Sequence, residues 1–129
     1  MDKKRNIKPT ESELEILQIL WEEETATVKE INDIINKRKP IGYTTTLKTI
    51  QIMFEKGLVK REKVGRSHTY SAAIKKEETQ QALIDKILDS AFGGSASNLV
   101  MQALGNKKTS KQELEEIKKM IEKLERDSE

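Results

Sequence analysis

Gly42 to Ala72 reads GYTTTLKTIQIMFEKGLVKREKVGRSHTYSA, and its two halves follow different periods. From about Thr44 to Lys56 the residues sort as a helix. Tyr43, Leu47, Ile50 and Phe54 fall on one face, each three or four positions from the next, and form the expected inner side. The opposite face carries Thr45, Lys48, Thr49, Ile52 and Lys56, with no carboxylate near its N-terminal end. Gly57 is placed to end the helix, as a residue that accepts a left-handed backbone. Leu58 to Lys63 and Ser67 to Ala72 are then two short runs separated by a turn containing Gly65, the pattern of a β-hairpin with a bulged or longer loop.

A helix face of short hydroxyls and cations suits a phosphate-lined groove. At ~1.5 Å per residue the helix spans about 20 Å, enough to lie along a major groove ~12 Å wide. Thr44, Thr45, Lys48 and Thr49 are the expected groove residues, with Lys48 and Thr45 at base edges and Ile52 near a thymine methyl. The hairpin adds Lys60, Arg61, Lys63 and Arg66. Alone, such charges only protect an edge strand from pairing with another chain. Behind a polar, basic helix face the hairpin becomes a wing, with Arg61, Lys63 and Arg66 expected on phosphates and His68 close to them.

Charge distribution supports this. Net charge is only +2, but Lys37 to Lys75 holds ten Lys and Arg against Glu55 and Glu62, a local +8 that leaves −6 for the rest. A concentrated basic segment is the footprint of phosphate binding.

The chain has 129 residues, 35% hydrophobic and 36% charged, enough for one domain or a small domain with an appendage that needs help to bury its apolar surface. With no cysteine and one histidine, disulfides and thiolate or His-rich metal sites are excluded. No apolar run approaches the ~18 residues of a spanning helix, and MDKKRNIKPT has no signal-peptide core. The expectation is a cytoplasmic protein without membrane insertion, metal or cofactor.

Residues 1 to 9 are polar, with Lys3, Lys4, Arg5 and Lys8, and read as a frayed start. Thr10 with Glu13 makes a capping box, opening a helix in which Leu14, Ile16, Leu17, Ile19, Leu20 and Trp21 cover most of the circumference. Such a helix is buried on more than one side. A second capping box, Thr27 with Glu30, starts a helix with Val28, Ile31, Ile34 and Ile35 inward. Pro40 is expected to end it, leaving Ile41 to Tyr43 extended as a third short strand. Helix, helix, turn, helix, hairpin is the order of a winged helix-turn-helix domain, here residues 1–75.

Residues 76–129 read as a separate helical domain. One helix runs from about Glu77 to Ala91 with Leu83, Ile84, Ile87, Leu88 and Ala91 on one face. Gly93 and Gly94 break it. A short helix from about Ser95 to Leu104 bears Leu99, Val100, Ala103 and Leu104, capped by Gly105-Asn106. The last helix opens with a third capping box, Ser110 with Glu113, and repeats Leu114, Ile117, Ile121 and Leu124 as a heptad-like stripe. Short helices with one apolar face each either pack back on the first helix or meet the same element of a second copy; the second option, a closed symmetric dimer, is the commonest solution and the one expected here. Leu83, Ile87, Leu99, Leu104, Leu114, Ile117, Ile121 and Leu124 are the expected dimerisation residues.

An enzyme fares badly against this. His68 has no Asp or Glu at a useful spacing, and Gly93-Gly94-Ser95 lacks the strand and Lys-Ser/Thr pair of a phosphate loop. RNA binding is disfavoured because aromatics are only 4% of the chain, too few for base-stacking platforms. The remaining alternative is a winged-helix protein-interaction module without sequence-specific DNA binding.

Several stretches together resemble the penicillinase-repressor family of bacterial transcription factors, the BlaI/MecI/CopY type. They are T-x-S-E-L-E-I-L at Thr10 to Leu17 with Trp21 behind it, Y-T-T-x-x-K-T at Tyr43 to Thr49, K-G-L-V at Lys56 to Val59, G-R with Tyr70 in the hairpin, and GGSASNLV at Gly93 to Val100 before the Glu/Lys-rich last helix. The resemblance implies a homodimeric repressor on a palindromic operator, with an intertwined helical C-terminal domain. It also implies relief by proteolysis in that domain, triggered in the β-lactam branch by a membrane-bound metalloprotease sensor. The Asn-Phe pair cleaved in that branch corresponds to Gln102-Ala103 here, and the cysteine motif of the copper-responsive branch has no counterpart.

Overall fold

The computed structural model describes residues 8–105 and 109–128. The cations expected at the start, Lys3, Lys4 and Arg5, and the Asn106 cap lie outside the described residues. The elements are α1 (Glu11–Glu23), α2 (Val28–Asn36), α3 (Tyr43–Lys56), β1 (Val59–Val64), β2 (Ser67–Ala72), α4 (Lys76–Phe92), α5 (Ala96–Gly105) and α6 (Lys111–Asp127). They divide into two compact units, one ending at Gln81 and the other beginning at Ala82. The protein is mainly α-helical with one small antiparallel hairpin, a winged helix-turn-helix in its first unit.

Both N-terminal capping boxes are complete. The Thr10 hydroxyl accepts from the Glu13 N–H at 3.2 Å while Glu13 Oε1 accepts from the Thr10 N–H at 2.9 Å, and Thr27 and Glu30 repeat the exchange at 3.1 and 2.9 Å. At Ser110 the hydroxyl accepts from the Glu113 N–H at 3.0 Å. Replacing such a cap by alanine typically costs about 1 kcal/mol.

α1 is the centre of the first unit, packing on α2, α3 and β2. Its Ile16, Leu17, Ile19 and Leu20 meet Val28, Ile31 and Ile35 of α2, Ile50 and Met53 of α3, and Leu58, Val59 and Tyr70 of the hairpin in one buried cluster. Each large aliphatic side chain buried there contributes about 1.5–3 kcal/mol. Trp21 packs at the edge of the cluster, its indole N–H donating to the Ile74 carbonyl at 3.0 Å.

Three local expectations are corrected. α2 ends at Asn36, four residues before Pro40, because the Asn36 amide donates to the Ile41 carbonyl at 2.9 Å and accepts from the Ile41 N–H at 3.1 Å. A side chain thus imitates a strand partner and closes the turn into α3. The third strand is not Ile41 to Tyr43, since Tyr43 already starts α3; Ala26 bridges Tyr70 instead, through N–H···O bonds of 3.0 and 2.8 Å. The hairpin carries no bulge: Val64 pairs with Ser67 across the two-residue turn Gly65-Arg66. Gly65 has φ +64° and Arg66 no positive φ, the arrangement of a II′ turn, which matches the strand twist.

In the second unit, α5 and α6 have no buried residue, and the only buried residue of α4 is Thr79, which precedes that unit. Gly93 and Gly94 both adopt positive φ, and the Gly94 N–H caps α4 through the Leu88 carbonyl at 2.8 Å. Among the described residues no helix is long and apolar enough to cross a membrane.

Candidate nucleic-acid interface

The face that α3 shows to solvent is decided by which residues it buries. These are Thr46, Ile50 and Met53, with Leu47 half-buried. Ile50 keeps its expected place, but Thr46 and Met53 take the buried positions expected of Leu47 and Phe54, and Tyr43 is 50% and Phe54 36% exposed. Thr46 turns inward because α2 supplies a partner: its hydroxyl donates to Asn32 Oδ1 at 2.6 Å, which satisfies a polar group only 1% exposed.

Thr44, Thr45 and Lys48 are exposed as expected, and Ile52 is 42% exposed. Thr49 is half-buried and donates its hydroxyl to the Thr45 carbonyl at 3.0 Å, leaving it less available than its neighbours. Gln51 joins the outer face and was not expected. Its position three residues after Lys48 and seven after Thr44 is the signal that identifies it, and glutamine pairs with adenine edges.

Lys56 leaves the outward set. Its Nζ donates to both carboxylate oxygens of Glu13 at 3.0 and 2.9 Å. Glu13 is 3% exposed, so this pair clamps the end of α3 onto the start of α1. Arg38 and Lys39 are likewise engaged, both on Glu15, the lysine at 3.2 Å. Among the described residues Lys48, Lys63 and Arg66 have no carboxylate partner.

Pleating sorts the wing. Arg61 lies opposite Tyr70 and Lys63 opposite His68, on the hairpin face of buried Val59 and Tyr70; Lys60, Glu62 and Val64 take the other face. Arg61, Lys63 and Arg66 are exposed, Arg66 at the turn, whereas His68 is half-buried with its ring 6.4 Å from that of Tyr70.

The three head helices also differ at their N-termini. α1 and α2 carry threonine caps and early glutamates, whereas α3 starts after Gly42 with no side-chain cap and no acidic residue in its first turn. Its leading N–H groups and positive dipole end are therefore open to an anion. Open amides, hydroxyls, an unpaired lysine and a cationic hairpin together make a surface complementary to a nucleic-acid backbone and groove.

The residues expected to dimerise all lie on α4, α5 and α6. Leu83, Leu99, Leu104 and Ile117 are half-buried, while Ile87, Leu114, Ile121 and Leu124 are 44%, 43%, 48% and 59% exposed.

The sequence model described as penicillinase repressor matches residues 9–123. A penicillinase repressor of Staphylococcus aureus is 24% identical over 110 residues, 85% of this chain and 87% of the relative. Among solved structures, the DNA-binding domain of the repressor BlaI superposes with a TM-score of 0.50 at 22% identity, covering 60% of this chain and 93% of that one. A mutant MarR from E. coli, solved with operator DNA, gives 0.54 at 11% identity, covering 92% and 76%.

Proposed function

The chain belongs to the penicillinase repressor family, and on that premise we propose a homodimeric transcriptional repressor that grips a palindromic operator through two winged-helix heads. α3 enters the major groove. Thr44, Thr45, Lys48 and Thr49 face the bases, joined by Gln51. Arg61, Lys63, Arg66 and His68 flank the sugar-phosphate backbone. The observation that carries this is the outer face of α3, with its uncapped N-terminus and unpaired Lys48 beside an exposed cationic wing.

Residues 1–75 are the DNA-binding domain and residues 76–129 the dimerisation domain, a division supported by the unburied apolar stripe of α6. The protein acts in the cytoplasm and binds as a non-enzymatic switch. Repression ends when a membrane-bound sensor protease triggers cleavage of the C-terminal domain; Gln102 and Ala103 are both exposed on α5.

Fluorescence anisotropy on the gene's own upstream duplex against a scrambled one, at low and near-physiological salt, tests the proposal. A preference of about 10³ or more, with two protomers per site, is expected. Lys48→Ala then relaxes preference at one position per half-site, whereas Arg66→Ala weakens binding to both duplexes and flattens the salt slope by about 1. Weak, equal binding that vanishes with salt overturns the repressor mechanism and leaves the protein-interaction module.

A further inference from the structure

The corner between α3 and the wing contains an aromatic–cation stack that base reading does not require. The Arg61 ζ carbon lies 4.0 Å from the centre of the Phe54 ring. Strand alternation explains the meeting: Arg61 shares the hairpin face of Val59 and Tyr70, which turns toward the helices. Phe54 is 36% exposed, displaced from the core by the placement of Met53, and one surface of its ring is covered by the guanidinium.

A guanidinium that stacks by its flat face keeps its N–H donors in its own plane, directed away from the ring. Among the described residues no carboxylate engages Arg61. With its ζ carbon over the ring and no carboxylate partner, the guanidinium keeps its planar donor fork available between α3 and the wing. Such a fork matches two oxygens of one phosphate.

We propose that Phe54 is a positioning residue for DNA binding: it holds the Arg61 guanidinium ready for a backbone phosphate at the junction of α3 and the wing. The inference rests on the winged-helix DNA reading. An unstacked arginine is rich in rotamers, and the ring removes part of that freedom before DNA arrives. Because phosphate contacts position the protein and base contacts specify sequence, Phe54 sets affinity for every duplex and leaves operator preference alone.

The test uses the full-length protein by anisotropy on operator and scrambled DNA, with Phe54→Leu, Phe54→Tyr, Arg61→Ala and the double variant Phe54→Leu/Arg61→Ala. Arg61→Ala is expected to weaken binding to both duplexes about tenfold and to lower the salt slope by about 1. Phe54→Leu should weaken both about two- to fivefold with the salt slope intact, since the charge remains. Phe54→Tyr, which keeps the ring, should bind like the parent, and the double variant should bind no more weakly than Arg61→Ala. A thermal midpoint for Phe54→Leu within a few degrees of the parent excludes simple unfolding. Multiplicative losses in the double variant, or parental affinity for Phe54→Leu, overturn the positioning role while the repressor reading stands. Failure of the parent itself to prefer its operator overturns both.

Discussion

The two units handle apolar surface in opposite ways. Every buried hydrophobic residue described lies between Ile16 and Tyr70, where α1, α2, α3 and the hairpin close one cluster. Beyond Gln81 no described residue is buried, and Ile84, Ile87, Val100, Met101, Leu114, Met120, Ile121 and Leu124 are between 43% and 70% exposed. Helices form over the expected spans in both units, though at Ser110 only half of the expected capping box is made, so the larger difference lies in packing. Good local structure makes a helix; only a second surface makes a fold. The head supplies that surface from its own chain, whereas the tail leaves its large apolar side chains exposed.

The largest expected effect breaks the head. Leu17, 0% exposed, touches its centre, and Leu17→Ala should cost about 2–5 kcal/mol, read as a collapse of the urea midpoint. For a domain of this size that is a large part of the whole stability. Next, Ile121→Lys places a charge in the α6 stripe. Sedimentation velocity should show monomers and operator affinity should fall about 100-fold through lost avidity, with the head's thermal midpoint unchanged; an unaltered dimer would remove the stripe from the interface.

Two smaller changes sharpen the picture of how the head is closed. Lys56→Met keeps the apolar stem but leaves the buried Glu13 carboxylate with the Thr10 N–H alone, which should cost about 1–3 kcal/mol in denaturant unfolding. Thr46→Val preserves shape and deletes only the hydroxyl bonded to Asn32. About 1 kcal/mol is expected, since half-buried Asn32 regains part of its hydration.

Element order, both complete capping boxes and the tail helices were legible in the sequence because each is encoded within a few residues. The facing of α3 was not. Three consecutive threonines are chemically alike, so residue type does not say which one turns inward; Thr46 does, and Asn32, fourteen residues earlier, receives its hydroxyl. Lys56 counted as an outward cation until Glu13, forty-three residues away, claimed it. Proline signalled the end of α2, yet Asn36 ended it sooner by bonding forward to Ile41. Gln51 differs from these, since its spacing from Thr44 and Lys48 already places it on the outer face. The Thr46, Lys56 and Asn36 differences have one physical origin: a polar side chain's fate depends on a partner that periodicity cannot see.

The bare start of α3 after Gly42 couples durability to purpose. A serine or aspartate there would occupy the leading amides and steady the free helix by about a few tenths of a kcal/mol. Those amides stand open to an anion such as a phosphate, which an aspartate would also repel. Selection for a hardier free protein and selection for a tighter grip on DNA thus pull on the same few N–H groups in opposite directions, and a glycine is the residue that leaves the contest to the DNA.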